Sequence, residues 1–220
     1  MSKAFFIAAT DTEAGKTFIT AGLAFAAQEK GLSVGIIKPI SCGGIEDAEF
    51  YKAKLKLEES VDSINPIKFR QPLSPYAAMK TEKNNIDISK IKGSVKKLIR
   101  LRDLVFVEGL GGALAPVKRN YYVADLARDL KLPCVIVARA GLGTINHTLM
   151  TIDELKKRKI RIAGIIMNGF DGREPSQISN AKVIEELSGV KVVGKIKARS
   201  SFNQLVKQIN KQRIYEKLKT

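Results

Sequence analysis

Gly15, Lys16 and Thr17 stand together where a short apolar run, Phe5–Ala8, gives way to a helical pattern from Phe18 to Lys30. A strand, a tight loop and these three residues at a helix start make an anion cradle. Backbone N–H groups and the positive end of the helix dipole converge on one point, and the Lys16 ammonium adds a point charge there. The Thr17 hydroxyl is placed to hold Mg²⁺. The implied ligand is a nucleoside triphosphate. The loop departs from the standard pattern, because no glycine opens it and five residues, not four, separate Ala9 from Gly15. An ordinary strand-to-helix turn does not explain why glycine, lysine and threonine open the helix together.

The other candidates follow from the elements that must position them. Short runs rich in Val and Ile recur at Ala4–Ala9, Val34–Lys38, Leu104–Glu108, Cys134–Ala138, Ile162–Met167 and Val190–Ile196. They read as strands covered on both faces. Helices are expected at Lys16–Lys30, Asp47–Leu57, Ser89–Leu101, Val123–Leu130, Asn146–Arg158, Pro175–Leu187 and Phe202–Leu218. Gly31 stops the first and Pro175 starts the sixth. The stretch from Asn65 to Asp87, with Pro66, Pro72 and Pro75, is expected to be an irregular excursion. Strand–helix alternation predicts one α/β domain over residues 1–220, with a mainly parallel central sheet flanked by helices in three layers.

Ligands in such sheets gather at the carboxyl ends of strands. Lys38-Pro39 ends the second strand and brings a second ammonium near the cradle. Glu108 ends the third and is the expected second holder of Mg²⁺, beside Gly109, Gly111 and Gly112, which permit close backbone approach. After the fourth, Gly143-Thr144-Ile145-Asn146-His147 opens another helix N-terminus. After the fifth, Asn168 is placed to reach a base edge, although Asn-Gly by itself is more often a turn.

Composition bounds the alternatives. The chain has 220 residues, 45% of them hydrophobic, and reads as globular. No 18-residue apolar run occurs, and the apolar N-terminal stretch runs directly into the phosphate loop, so neither a membrane span nor a signal peptide is expected. Cys42 and Cys134 form no metal spacing, which suits free thiols in a cytoplasmic protein. The net charge of +16 includes a concentration at Lys207, Lys211, Arg213, Lys217 and Lys219. Aromatic residues are few, at 6%, and do not interleave with the cations as a base-stacking platform would. The charge therefore reads as a lysine-rich solvated surface, and neither nucleic acid nor membrane is expected as a partner.

Taken together, Thr10–Glu13 with Gly-Lys-Thr, Lys38-Pro39, Ser74-Pro75, Val107-Glu108-Gly109 with Gly111-Gly112, and Gly143–His147 resemble the dethiobiotin synthetase family over nearly the whole chain. That resemblance implies a phosphate-loop NTPase fold and a homodimer. It implies an enzyme of biotin biosynthesis that joins 7,8-diaminopelargonate, CO2 (as bicarbonate in solution) and ATP, with Mg²⁺, into a cyclic urea. An N-carbamate and a carbamic–phosphoric anhydride are the implied intermediates. By the same resemblance Lys16 and Lys38 are catalytic, and Thr17, Asp47 and Glu108 bind Mg²⁺. Thr12, Glu13, Ala14, Gly15, Lys16, Thr17, Glu108, Gly109, Gly111, Asn168 and Lys197 bind nucleotide. Thr12, Lys38 and Cys42 meet the diamine, and Gly143, Thr144 and Asn146 of a partner subunit hold its far carboxylate. His147, the only histidine, is read as structural.

The chain departs from the family at Ala9, Cys42, Gly169 and Lys197, where glycine, a hydroxyl residue, aspartate and proline are usual. The last two loosen base recognition, so other nucleoside triphosphates are admitted beside ATP. A partitioning or positioning ATPase is the rival reading. Its interfacial helix would be Phe202–Leu218, with an apolar stripe beside Lys207, Lys211 and Lys217. Those ATPases carry an extra lysine early in the loop, where this chain has Thr10-Asp11-Thr12.

Overall fold

A computed structural model describes residues 4–218, so the basic residues Lys3 and Lys219 lie outside the described part. The chain runs β1 (Ala4–Ala9), α1 (Lys16–Gln28), β2 (Val34–Ile37), β3 (Ile40–Cys42), α2 (Glu46–Leu55) and α3 (Val61–Ile64). It continues through β4 (Ile67–Phe69), α4 (Pro75–Thr81), α5 (Ile88–Leu101), β5 (Leu104–Glu108), β6 (Pro116–Lys118), β7 (Tyr121–Tyr122) and α6 (Val123–Leu130). The last part is β8 (Cys134–Arg139), α7 (Thr144–Lys157), β9 (Ile162–Phe170), α8 (Pro175–Ser188), β10 (Val192–Lys197), α9 (Phe202–Lys211) and α10 (Ile214–Leu218).

Six strands form one parallel sheet in the order β10-β9-β8-β1-β5-β2. Side chains alternate across a strand, and β1 shows why its run is continuously apolar. Ala4, Phe6 and Ala8 join the core beneath α5, α6, α7 and α8, while Phe5, Ile7 and Ala9 join the core beneath α1, α2, α9 and α10. The chain moves from β1 to one side through β5 and β2, and to the other through β8, β9 and β10. The carboxyl end of β1 is therefore the switch point of the sheet, and the phosphate loop lies there.

Two expectations are corrected, and the rival reading loses its interfacial helix. The stretch from Asn65 to Asp87 is not irregular: β4 pairs in parallel with β3, and α4 starts at Pro75 under a Ser74 cap. The helix expected over Phe202–Leu218 is two helices, broken where Arg213 takes a left-handed φ of 52°. Its apolar stripe is no membrane face, because Leu205, Val206, Ile209, Ile214 and Leu218 are buried in the core. A Cβ on Gly22 of α1 would come within 2.5 Å of Leu205, which shows how closely α1 and α9 approach. The α9 glutamines also cover the free edge of β10. Gln212 accepts from the Lys195 N–H and donates to its carbonyl, and Gln208 accepts from the Lys197 N–H, which blunts an otherwise open strand.

Candidate active site

The loop between β1 and α1 is held on both sides. The Thr10 N–H donates to the Val137 carbonyl, and Arg139 pairs with Asp11 at 3.0 Å. Gly15 caps α1 with φ 90°, no side chain caps the helix, and its first turn carries no acidic residue. The orphan N–H groups of that turn are thus left to an anion. Asn168, at the end of β9, donates through Nδ2 to the Ala14 carbonyl at 3.0 Å. A Cβ on Gly15 would stand 2.2 Å from that nitrogen, so the position requires glycine for space as well as for φ. Asn168 is thereby a support of the phosphate loop.

Glu108 is the hub of the charged site and only 1% exposed. Leu104 and Phe106, four and two residues before it, point to the α1 and α2 side of the sheet. The two-residue period puts Glu108 on the same side. There its Oε1 accepts from Thr17 Oγ1 at 2.9 Å and from Lys38 Nζ at 3.1 Å. Lys38 follows β2 on the matching parity, after Val34 and Ile36, and also pairs with Asp47 in the first turn of α2. Lys16 donates to the Gly111 carbonyl at 3.2 Å. Burial lowers the Lys16 pKa, against the pull of Glu108. For Lys38 burial acts in the same direction, but Glu108 and Asp47 outweigh it and raise the pKa. Lys38 is therefore a fixed ammonium at neutral pH. Thr17, Asp47 and Glu108 present only oxygen donors. Among the described residues no group of three or more His, Cys, Asp or Glu side chains is arranged to hold a metal ion.

Three residues of this site are absent from the reading of the sequence. Tyr51 of α2 is fully buried, and its hydroxyl donates to Glu108 Oε2. Burial, and next the Glu108 carboxylate, push this phenol well above its ordinary value, so it stays a donor. Asn65 donates to the carbonyls of Lys38 and Ile67 and accepts from Ser41 Oγ at 2.6 Å, which fixes the chain beyond Lys38. Arg139 steadies Asp11. A buried tyrosine hydroxyl in a helix stripe, with Ala48 and Leu55, is the one local signal that a partner was needed.

The remaining candidates divide. Gly109 donates to the Ile7 carbonyl, and a Cβ on it would come 2.8 Å from the Phe6 ring. Thr12 lies beside Gly111 in the wall of a cavity of about 490 Å³ shared with α7, and Glu13 and Lys197 are exposed. Gly143, Thr144 and Asn146 open α7 at the end of β8, three strand positions from Lys38. At roughly 4.8 Å per strand that is about 14 Å. His147 is exposed on the cavity wall, so burial supplies no structural role for it. Cys42 is half-buried at the end of β3. Burial, and then Glu82, push its thiol up to about 11, whereas Cys134 is fully buried. Iodoacetamide is accordingly expected to leave Cys134 intact in the folded protein. It should alkylate Cys42 at a rate still climbing beyond pH 9 toward pH 11, as peptide mass spectrometry would record. A rate that levels off near pH 8 would contradict this environment.

The switch-point loop, the Lys16–Thr17 helix start and the Glu108 strand end define a phosphate-loop nucleotide-binding protein. Residues 3–204 match the family described as "AAA domain". ATP-dependent dethiobiotin synthetase BioD of Methanococcus vannielii is 39% identical over 207 residues, spanning 93% of this chain and 98% of that one. The synthetase of Nitrosopumilus maritimus is 41% identical over 219 residues, spanning 94% and 96%. The chain belongs to the ATP-dependent dethiobiotin synthetase family, ligases of biotin biosynthesis. Among solved structures, MinD of Pyrococcus horikoshii superposes with a TM-score of 0.61 at 14% identity over 98% of this chain and 94% of that one. A ParA family ATPase from Chlorobium tepidum gives 0.59 at 16%, over 98% and 92%. These two share the fold alone. No helix among the described residues is long and apolar enough to cross a membrane.

Proposed function

We propose that this protein makes dethiobiotin from 7,8-diaminopelargonate, CO2 and ATP, releasing ADP and phosphate. One amine takes up CO2 to give a carbamate and loses a proton. A carbamate oxygen attacks the γ-phosphorus and ADP leaves, which forms a carbamic–phosphoric anhydride. The second amine attacks the carbonyl carbon and loses a proton, the ring closes and phosphate is expelled. Each species is anionic at the reacting centre. The observation that carries the reading is the pair of buried lysines, Lys16 and Lys38, on either side of the Glu108 strand end in a chain similar to synthetases over nine-tenths of its length. Preorganised cations of this kind stabilise charge that develops in the transition state. Lys38, held as an ammonium, serves as a fixed charge and not as the base for ring closure.

The oxygen-only set of Thr17, Asp47 and Glu108 fits Mg²⁺, which favours one or two carboxylates together with substrate phosphates and water. When bound, Mg²⁺ supplies charge neutralisation at the β- and γ-phosphates. Thr12, Glu13, Ala14, Gly15, Gly109 and Gly111 shape the loop around those phosphates. Asn168 and Lys197 face the base and leave room for other nucleoside triphosphates. Cys42 borders the diamine. The 14 Å gap argues that Gly143, Thr144 and Asn146 act on the diamine's far carboxylate from a second copy of the chain. Leu142, 89% exposed, and the exposed Met150 and Leu114 supply apolar surface for such a homodimer.

The test is phosphate release together with dethiobiotin mass. Both are expected to require Mg²⁺, bicarbonate and diaminopelargonate, and competition among nucleotides would rank base preference. Release that ignores the diamine and rises with DNA or anionic vesicles would replace this reading with a positioning ATPase.

A further inference from the structure

We infer that Tyr51 is a positioning residue for the metal-binding carboxylate, and that it ties the two acidic residues of the site into one unit. The inference rests on the reading of Glu108 as a holder of Mg²⁺. Its basis is the division of labour between the two Glu108 oxygens. Oε1 faces the site, where Thr17 lies at 2.9 Å and Lys38 at 3.1 Å. Oε2 faces away and is taken by the Tyr51 hydroxyl alone among the described hydrogen bonds. The terminal torsion of a glutamate is soft. Without the phenol, the carboxylate is free to turn and to spread both oxygens across Lys38 and Thr17.

The second part of the argument is the helix that carries Tyr51. Asp47 and Tyr51 are four residues apart on α2, hence on one face, a turn apart. Asp47 reaches Lys38 from the exposed end of that face, with 41% of its side chain accessible, while Tyr51 is fully buried at the other end. Ahead of α2 the chain passes through Gly43 and Gly44, both at positive φ (93° and 156°). The entry to the helix is thus built from permissive backbone, and the buried phenol is the hydrogen-bonded side-chain anchor one turn from the acid. Tyr51 sets where Asp47 stands by the same bond that sets how Glu108 is turned. Outer partners of metal-binding side chains commonly change metal affinity by about 10- to 100-fold when removed.

The substitution Tyr51→Phe removes one oxygen and keeps the ring. Mn²⁺, a paramagnetic stand-in for Mg²⁺, would be titrated into wild-type, Tyr51→Phe and Glu108→Gln proteins, each holding ADP, and followed by electron paramagnetic resonance. Nucleotide affinity without metal and the melting temperature would be measured alongside. The expected result is a loss of Mn²⁺ affinity of about tenfold in Tyr51→Phe and a larger loss in Glu108→Gln. Metal-free ADP binding should stay within twofold in Tyr51→Phe. In turnover, the Mg²⁺ concentration for half-maximal rate should rise while KM for the diamine holds. Wild-type Mn²⁺ affinity in Tyr51→Phe, beside a clear loss in Glu108→Gln, overturns the role of Tyr51 alone. A lower melting temperature with unchanged metal affinity does the same, since it marks a purely structural phenol. Unchanged affinity in Glu108→Gln removes Glu108 from the metal site and the inference with it.

Discussion

Lys38→Ala is expected to lower kcat by about a thousandfold while nucleotide binding remains measurable. The fall is the size seen when a preorganised charge or donor is taken from a reacting centre. Binding persists because the cradle is built elsewhere, from the Gly15 turn, the uncapped start of α1 and Lys16. The lysine is well suited to such separation. It follows β2, beyond β5, and its neighbours Glu108 and Asp47 hold it charged. Single-turnover phosphate release and equilibrium ADP binding would check the two halves. A variant with wild-type turnover would take Lys38 out of the reaction.

Glu108→Ala is expected to be the most destabilising single change in the site, by about 4 kcal/mol, because it strips one partner from a buried ion pair. It leaves the Tyr51 hydroxyl and the Thr17 hydroxyl without their acceptor and the Lys38 ammonium with Asp47 alone. For a chain of this length the melting temperature should fall by roughly 10 °C. The sign of its pH dependence follows from Lys38. In the wild type its pKa is raised, so its contribution is complete below 10.5 and is lost as pH rises through the higher folded value. In the variant only Asp47 offsets burial, so the rise in the Lys38 pKa shrinks, and with it the stability that the ammonium contributes. The difference in melting temperature between the two proteins should therefore be widest near pH 7 and narrow above about pH 10.5. A constant difference across that range would show that Glu108 does not govern the charge on Lys38. Glu108→Gln, which keeps an acceptor for Tyr51, should lose less stability.

Much of this site is legible in the order of residues. β1 reads as a strand because both its faces are covered, and the residues at or just beyond the ends of β1, β2, β5 and β9 are the ones that gather at the candidate site. Even the side on which Lys38 and Glu108 point follows from counting by two along Val34, Ile36, Lys38 and Leu104, Phe106, Glu108. The errors have equally physical sources. Nothing in Lys211-Gln212-Arg213 announces a helix break, since the left-handed turn at Arg213 is made by a residue with no special preference for it. The segment after Asn65 reads as irregular because its prolines mark turns and helix starts alike, and only the pairing of β4 with β3 shows which.

By itself, then, the sequence determined the alternation of elements, the phosphate cradle and the acidic and basic strand ends, since each rests on local periodicity and on chemistry within a few residues. Tertiary structure alone decided which side chains meet. Tyr51 reaches Glu108 across 57 positions, Asn168 reaches Ala14 across 154, and Arg139 reaches Asp11 across 128. Contacts of this kind depend on strand order and on the seating of helices against the sheet. Those are settled by packing of the whole core, and they leave no mark in the spacing of neighbouring residues.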